Sequence, residues 1–394
     1  MIPYCLNIHP GETATEVCAA LDDYACAVKR ALSPDTPYPV GLRLAAAATA
    51  ELTEPSGEKL AAFARFLDAR HLVVTGINGF PYGAFHHHAV KTNVYSPDWS
   101  TRERLDYTLR LASILSVLLP QGALGSISTV PLAYKTPAPT EAKRLAYTRQ
   151  CLLMALHLNT LLREEGAEIC LAIEPEPDCL LEDTTDFLAW YEDELLVEGR
   201  AWLTRSKRFT ESEAEALIRR HIGICFDTCH FAVGFEDPLT ALQRLERAGV
   251  RIARIQLSAA IQTTIHAASL QALEPFVEPV YLHQTRIRDH HGRITYLPDL
   301  THETLRHAAT MEGCALRTHF HVPLFWEGDG VLQTTRTHLD AAFFRHVKQQ
   351  AYPLEIETYT FSVLPASLRT EGIVPHLIQE TQWALAQLES IPLQ

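Results

Sequence analysis

Short apolar runs alternate with longer amphipathic runs along most of this chain. Runs of four or five apolar residues without polar alternation are typical of strands covered on both faces, as in parallel sheets. The longer runs carry apolar residues at intervals of three and four, which predicts helices, for example over 57–70, 103–119 and 141–166. The strand-like runs lie at 4–9, 38–46, 71–78, 125–131, 168–178, 222–230, 251–258 and 352–360.

This alternation predicts an α/β fold with a parallel sheet, and eight strands in 394 residues favour a closed (β/α)8 TIM barrel over an open sheet. A ninth run, at 314–326, also has strand character. We assign it to a long insertion between strands seven and eight, about 259–351, so that the run at 352–360 remains the eighth strand. No linker or composition break divides the chain, so we expect a single domain over 1–394.

Composition and charge narrow the classes of function. Apolar residues make up 47% of the chain, which is ample for a core, and the formal net charge of −13 disfavours binding to nucleic acid. The nine cysteines form no CxxC pair and are expected to be reduced thiols. No stretch has the length of a membrane span, and residues 1–10 lack the features of a signal peptide. We therefore expect a cytoplasmic protein that does not associate with membranes.

Polar side chains stand near the ends of the last four strand-like runs. They are Glu174, Asp227, Gln256 and Glu357. Neighbouring strand ends of a barrel converge on one mouth, and a divalent cation offsets the repulsion among buried carboxylates. Oxygen ligands favour Mg²⁺ or Mn²⁺, with Co²⁺ or Zn²⁺ suited if a histidine joins. The alternatives are that Asp227 caps a helix and that an arginine pairs with Glu357 or with Glu355 on the same strand face.

The strand ends also resemble a known superfamily. The segments IEPEPD (173–178), FDTCH (226–230) and IETYT (356–360) are similar to motifs of the xylose isomerase-like TIM barrels, which include sugar isomerases, epimerases and endonuclease IV. The resemblance implies that Glu174, Asp227, Gln256 and Glu357 bind one divalent metal, that the two glutamates act as the catalytic acid and base, and that His230 contacts substrate. Gln256 stands where this superfamily more often has histidine.

Two long loops carry further candidates. The segments 80–99 and 318–330 most resemble the metabolite traffic proteins of ebo operons, the EboE group. In a barrel, loops after the strands contact substrate, so we expect substrate-binding roles for His88 and Lys91 after the third strand and for His321 in the insertion. Endonuclease IV recruits further ligands after its seventh strand, and by resemblance His319 and His321 are candidates for a second ion.

These features predict a metal-dependent isomerase or epimerase. Its substrate would be a small polyol or sugar-derived metabolite, changed by proton transfer through an enediolate. One alternative is a metabolite-binding or traffic protein that keeps the metal without turnover. The other is a nuclease of the endonuclease IV type, which would need histidines on the second and third strands, and these strands have none at their carboxyl ends.

Overall fold

The strands of this protein form two sheets. The structure is a computed structural model that describes residues 1–86, 89–135, 139–207, 209–369 and 371–391. Its strands in chain order are Tyr4–Cys5 (β1), Tyr38–Arg43 (β2), Leu72–Asn78 (β3), Leu124–Thr129 (β4), Glu168–Ile173 (β5), Ile222–Asp227 (β6), Arg251–Leu257 (β7), Ile261–Thr264 (β8), Thr285–Arg288 (β9), Ile294–Leu297 (β10), Ala315–Thr318 (β11), Gln333–Thr334 (β12) and Leu354–Ile356 (β13).

The larger sheet is the predicted (β/α)8 barrel. Its eight strands follow the order β1-β2-β3-β4-β5-β6-β7-β13, and every pair in it is parallel. The two end strands, β1 and β13, contact each other, so the barrel is nearly closed. The predicted runs at 4–9 and 352–360 yield shorter strands than expected, because the chain turns into 3-10 helices at Leu6–Ile8 and Tyr359–Val363.

The predicted insertion lies between β7 and β13 and builds a sheet of its own. Five short strands pair antiparallel in the order β10-β9-β11-β8-β12. The ninth strand-like run of the sequence supplies β11 in the middle of this sheet. Its polypeptide then continues through His319 and His321 to the mouth of the barrel, where both side chains are buried.

Helices pack around the barrel. The predicted helices at 57–70, 103–119 and 141–166 are present within two residues of those bounds. No helix in the described ranges combines the length and apolarity needed to cross a membrane. The helices are Ala14–Ala20, Cys26–Leu32, Ala46–Leu52, Glu58–Asp68, Arg102–Leu118, Glu141–Glu165, Thr184–Ala189, Val197–Lys207, Glu211–His221, Thr228–Val233, Pro238–Arg247, Ala267–Leu273, His302–Ala308, Ala341–Gln350 and Ile373–Glu389.

A buried ion pair fills the barrel interior below the mouth. Arg254 on β7 binds Glu355 on β13 and also donates hydrogen bonds to Ser126 on β4. Two strand glycines make room for it, because a Cβ on Gly41 would lie 2.0 Å from Glu355 Oε1 and one on Gly76 would lie 2.2 Å from Arg254 Nη2. Glu355 is therefore the strand residue that takes an arginine, which leaves Glu357, two residues further on, at the mouth.

Candidate metal centre

Three carboxylates meet at the carboxyl end of the barrel. Glu174 follows β5, Asp227 ends β6, and Glu357 follows β13. One oxygen from each lies within 4.8 Å of the other two, and all three side chains are buried. The strand ends therefore bring these acids together as the sequence predicts.

Hydrogen bonds hold the carboxylates of Asp227 and Glu357, and two oxygens of the three acids lack partners within the described ranges. Asp227 Oδ1 accepts from the backbone N–H groups of Cys229 (2.7 Å) and His230 (3.1 Å) and from Ser258 Oγ (2.7 Å). Asp227 thus caps the helix Thr228–Val233, but its Oδ2 has no hydrogen-bond partner in the described part of the chain, and neither has Glu174 Oε2. Both predicted roles of Asp227, helix cap and candidate ligand, are compatible because they use different oxygens.

The amide groups of two asparagines hold the third carboxylate. Asn7 Nδ2 donates to Glu357 Oε1 at 2.6 Å, and Asn78 Nδ2 donates to the same oxygen at 3.4 Å. Asn7 follows β1 and Asn78 ends β3, so both reach the mouth from strand ends. Asn7 Oδ1 is a further buried oxygen that lacks a partner among the described residues.

Charge at this site is not balanced by the protein alone. Burial raises the pKa of Glu174 to about 8, with a smaller contribution from Asp227. Burial and the two neighbouring carboxylates also raise the pKa of Glu357 well above its usual range. Asp227 differs: its burial is outweighed by His230, His321 and Ser258, which lower its pKa. Three close acids with two partnerless oxygens are the donor set that a hard divalent cation requires, so the residues fit such an ion.

Gln256 lies beside this cluster with its amide turned away. The β6–β7 register pairs it with Asp227, and its side chain is fully buried. Its Oε1 accepts from Cys225 Sγ at 2.9 Å, while its Nε2 has no partner among the described residues. A 180° rotation of the amide exchanges these two atoms and would turn the oxygen to the partnerless side. The role of Gln256 as a ligand stays a prediction.

Three histidines form a second group of donors next to the acids. The Nδ1 atoms of His230, His319 and His321 lie 2.7–2.8 Å from oxygens that only accept, which belong to Pro175, Gln284 and Glu357. Each Nδ1 therefore carries the ring proton, and a neutral ring then has its lone pair on Nε2. Burial lowers the pKa of His321 to about 4 and that of His319 well below its usual value, so both are neutral.

The Nε2 atoms of two of these rings meet. Those of His319 and His321 are only 3.1 Å apart, a contact between two lone pairs. One donor atom each from Asp227, His230 and His321 lies within 4.8 Å of the others, and the same holds for Glu176, His230 and His319. Histidines that donate Nδ1–H to oxygen and present Nε2 are arranged as metal ligands usually are.

A cavity opens above the acids. Asn7, Asn78, Glu174, Glu176 and Glu357 line its polar side. Glu176 accepts a hydrogen bond from the hydroxyl of Tyr95 at 2.8 Å, and Tyr95 in turn accepts one from Gln284. The cavity thus places buried oxygens within reach of a small ligand.

Only some of the predicted substrate-binding residues line the cavity. His230 lines the cavity, and His321 belongs to the histidine group behind it. Lys91 also lines the cavity, but its Nζ donates to the backbone oxygens of Glu278 and Tyr281 and to Asp299 Oδ2. Its ammonium group therefore joins the β3 loop to the insertion. His88 lies outside the described residues.

Solved structures with a similar fold include a xylose isomerase-like TIM barrel. A protein of this kind from Mycobacterium smegmatis, solved in complex with magnesium, has 11% sequence identity and a TM-score of 0.51, over 99% of this chain and 96% of that one. The probable 3-DHS dehydratase AsbF from Bacillus anthracis has 13% identity and a TM-score of 0.46, over 98% of both chains. The IolI protein, solved with a bound zinc atom, has 11% identity and a TM-score of 0.48, over 99% of both chains.

Sequence comparison adds no closer relationship. Neither a protein-family model nor a curated protein sequence matches this chain. The fold of the xylose isomerase-like barrels is confirmed by structure, while the narrower resemblance to metabolite traffic proteins stays a prediction.

Proposed function

We propose that this chain, which has the fold of the xylose isomerase-like TIM barrels, is a divalent-metal-dependent isomerase or epimerase of a small polyol or sugar-derived metabolite. One observation supports this most: the carboxylates of Glu174, Asp227 and Glu357 converge in a buried site, with oxygens that lack partners. Mn²⁺ or Mg²⁺ would be held by these acids, with Gln256 as the fourth ligand once its amide is rotated. The Mycobacterium smegmatis protein of this fold was solved with magnesium.

The chemistry assigns a separate task to each residue. The metal, when bound, supplies a Lewis acid that polarises the hydroxyl and carbonyl oxygens of the substrate. Glu174 and Glu357 come from strands separated by two others, so they approach a ligand from different sides. One, as the carboxylate, would take the proton from the carbon next to the carbonyl, which leaves an enediolate. The other, as the carboxylic acid, would return a proton to the opposite face of the same carbon in an epimerisation or to the neighbouring carbon in an isomerisation. In the isomerisation a hydroxyl proton also passes from one substrate oxygen to the other.

Two further residues would orient the acids and the substrate. The 2.6 Å hydrogen bond from Asn7 holds Glu357 in one rotamer. His230 donates Nδ1–H to the carbonyl of Pro175 and lines the cavity. Asp227, Glu176 and Glu174 outweigh its burial and raise its pKa, so its charged ring would donate from Nε2 to a substrate oxygen, whereas the neutral ring would offer a lone pair there to a cation. These are positioning and binding roles, because Asn7 acts through Glu357 and His230 acts on a substrate oxygen or a cation.

The histidine group supports a second cation beside the first. One donor atom each from Glu176, His230 and His319 lies within 4.8 Å of the others, and such a mixed nitrogen and oxygen set would suit Zn²⁺ or Co²⁺ better than Mg²⁺. Metal analysis of the purified protein would then find two ions per chain, and His319→Asn would reduce this to one. An unchanged ratio in the variant would contradict the second site while leaving the first intact.

Solvent deuterium exchange tests the proposed reaction. The Mn²⁺-loaded protein would be incubated in D₂O with a panel of unphosphorylated ketoses and cyclic polyol ketones, and label at the carbon next to the carbonyl would be measured by NMR. We expect incorporation that is abolished in Glu357→Gln and kept in Glu274→Gln, an exposed control. Bound metal without exchange into any ketone would contradict an enzyme and favour the metabolite-binding alternative.

A further inference from the structure

The mouth of the cavity is lined by an aromatic cluster that is separate from the main core. Phe85, Val90, Tyr281 and Tyr359 pack together, and within the described residues none of them belongs to the main core. Phe85 lies 5.3 Å from each tyrosine ring, and the tyrosine rings are 5.0 Å apart, distances typical of interacting aromatic pairs. Three segments supply the cluster: the loop after β3, the insertion, and the turn after β13.

This cluster presents apolar surface to the cavity. All four members line it, together with the half-buried Val94 and Leu282. The tyrosine hydroxyls are already engaged, since that of Tyr281 lies 2.6 Å from His86 Nδ1 and that of Tyr359 lies 3.4 Å from His319 Nε2. A ligand at this cluster would therefore meet rings and methyl groups, while Asn7 and Glu174, which also line the cavity, offer oxygens without partners among the described residues.

The cavity is poorly suited to a phosphate group. Lys91 is the one lysine or arginine among its described lining residues, and its ammonium group already has three oxygen partners. Besides the candidate metal ligands Glu174 and Glu357, the lining includes a further carboxyl group, Glu176, beside which a phosphate dianion would be disfavoured. Recognition of phosphate normally requires unpaired cationic donors.

We propose that the substrate is an uncharged hydroxyketone or polyol that carries an apolar group of about the size of a ring. Its oxygens lie at the carboxylates, and its apolar part lies against Phe85, Val90, Tyr281 and Tyr359. The inference rests on the proposed function for the polar end alone, and it holds equally for a protein that carries such a metabolite without converting it.

Three probes that share the group HOCH₂–C(=O)– test this division of the cavity. Hydroxyacetone adds a methyl group, 2-hydroxyacetophenone adds a phenyl ring, and dihydroxyacetone phosphate adds a charged group. Affinities for the full-length, Mn²⁺-loaded protein would be measured by titration calorimetry. We expect 2-hydroxyacetophenone to bind about tenfold or more tighter than hydroxyacetone, the gain from burying a phenyl-sized group, and the phosphate to bind no tighter than hydroxyacetone.

A double variant tests whether the apolar wall causes the preference for the phenyl probe. Val94→Thr with Leu282→Asn makes the apolar wall polar at two half-buried positions, and the phenyl-to-methyl affinity ratio should fall to about threefold or less. Val117→Thr with Leu124→Asn changes the same residue types at exposed positions away from the cavity and should keep the full ratio. Equal affinities of the phenyl and methyl probes, tightest binding of the phosphate, or a ratio that survives in the cavity variant would each overturn the inference.

The two proposals fail in different experiments. Deuterium exchange without a preference for the phenyl probe would remove this inference and leave the isomerase proposal standing. A phenyl preference without exchange into any ketone would contradict the isomerase proposal and leave this inference standing.

Discussion

Glu380, on the C-terminal helix Ile373–Glu389, joins two segments that carry site residues. Its carboxylate accepts the backbone N–H of Leu324 at 3.0 Å and the hydroxyl of Thr358 at 2.8–2.9 Å. Thr358 follows Glu357 directly, and Leu324 is three residues beyond His321. Glu380 is fully buried, and this burial raises its pKa to about 7 from a usual value of 4.5.

The raised pKa makes stability fall as pH increases. Below about pH 4.5 the carboxyl is protonated in both states and contributes no pH dependence. As pH rises, the unfolded state ionises first and is stabilised relative to the folded state, until the folded group also ionises near pH 7. The full shift corresponds to about 3.4 kcal/mol of unfolding free energy, of which about 2.5 kcal/mol develops between pH 5 and pH 8.

Replacement of Glu380 by glutamine removes this ionisation. We expect the stability of Glu380→Gln relative to the wild type to rise by about 2.5 kcal/mol between pH 5 and pH 8, whatever constant offset the amide introduces. Urea unfolding of both metal-free proteins, followed by circular dichroism, measures the difference at each pH. Glu389→Gln, at an exposed position on the same helix, is the control. A difference in unfolding free energy between Glu380→Gln and the wild type that does not change with pH would show that the pKa of Glu380 is not raised in the folded protein.

Three other predictions concern the barrel interior and the metal. Arg254→Met leaves Glu355 buried and unpaired and should lower the free energy of unfolding, measured in urea, by about 3–5 kcal/mol. Replacing both Arg254 and Glu355 by Met should recover most of this loss, and equal losses in the single and double variants would contradict the prediction. The affinity for Mn²⁺, measured by calorimetry, should increase from pH 6 to pH 8. The reason is that Glu174, whose pKa is raised by burial to about 8, must lose its proton to bind the ion, and an affinity that does not change with pH would contradict this. Gln256→His should raise the affinity for Zn²⁺ relative to Mg²⁺ in a competition assay, because imidazole suits zinc, and an unchanged ratio would place residue 256 outside the ligand set.

The barrel and its acids could be predicted because both depend on local sequence. Unbroken apolar runs indicate buried parallel strands, and strand ends share one mouth, so Glu174, Asp227 and Glu357 had to be neighbours once eight strands closed. The same argument applies to Asn7 and Asn78, which follow or end apolar runs at β1 and β3. Their polar position was a usable signal for the hydrogen bonds they make to Glu357.

The insertion could not be predicted in the same way. Its strands are two to four residues long, too short for a period to show, and apart from the β9–β10 hairpin they pair across long stretches of sequence. An ion-pair contact between the insertion and the loop after β5 is one such long-range interaction: Arg286 binds Asp178 and Glu182, both at 2.7 Å. Lys91 likewise finds Asp299 at 2.6 Å, a partner that no local pattern indicates.

Anomalous X-ray scattering from crystals grown with Mn²⁺ tests the central claim most directly. We expect a manganese peak within bonding distance of Glu174, Asp227 and Glu357, and loss of that peak in Asp227→Asn. A fully occupied manganese site elsewhere, or carboxylates that keep their protons and bind no ion at saturating Mn²⁺, would contradict it.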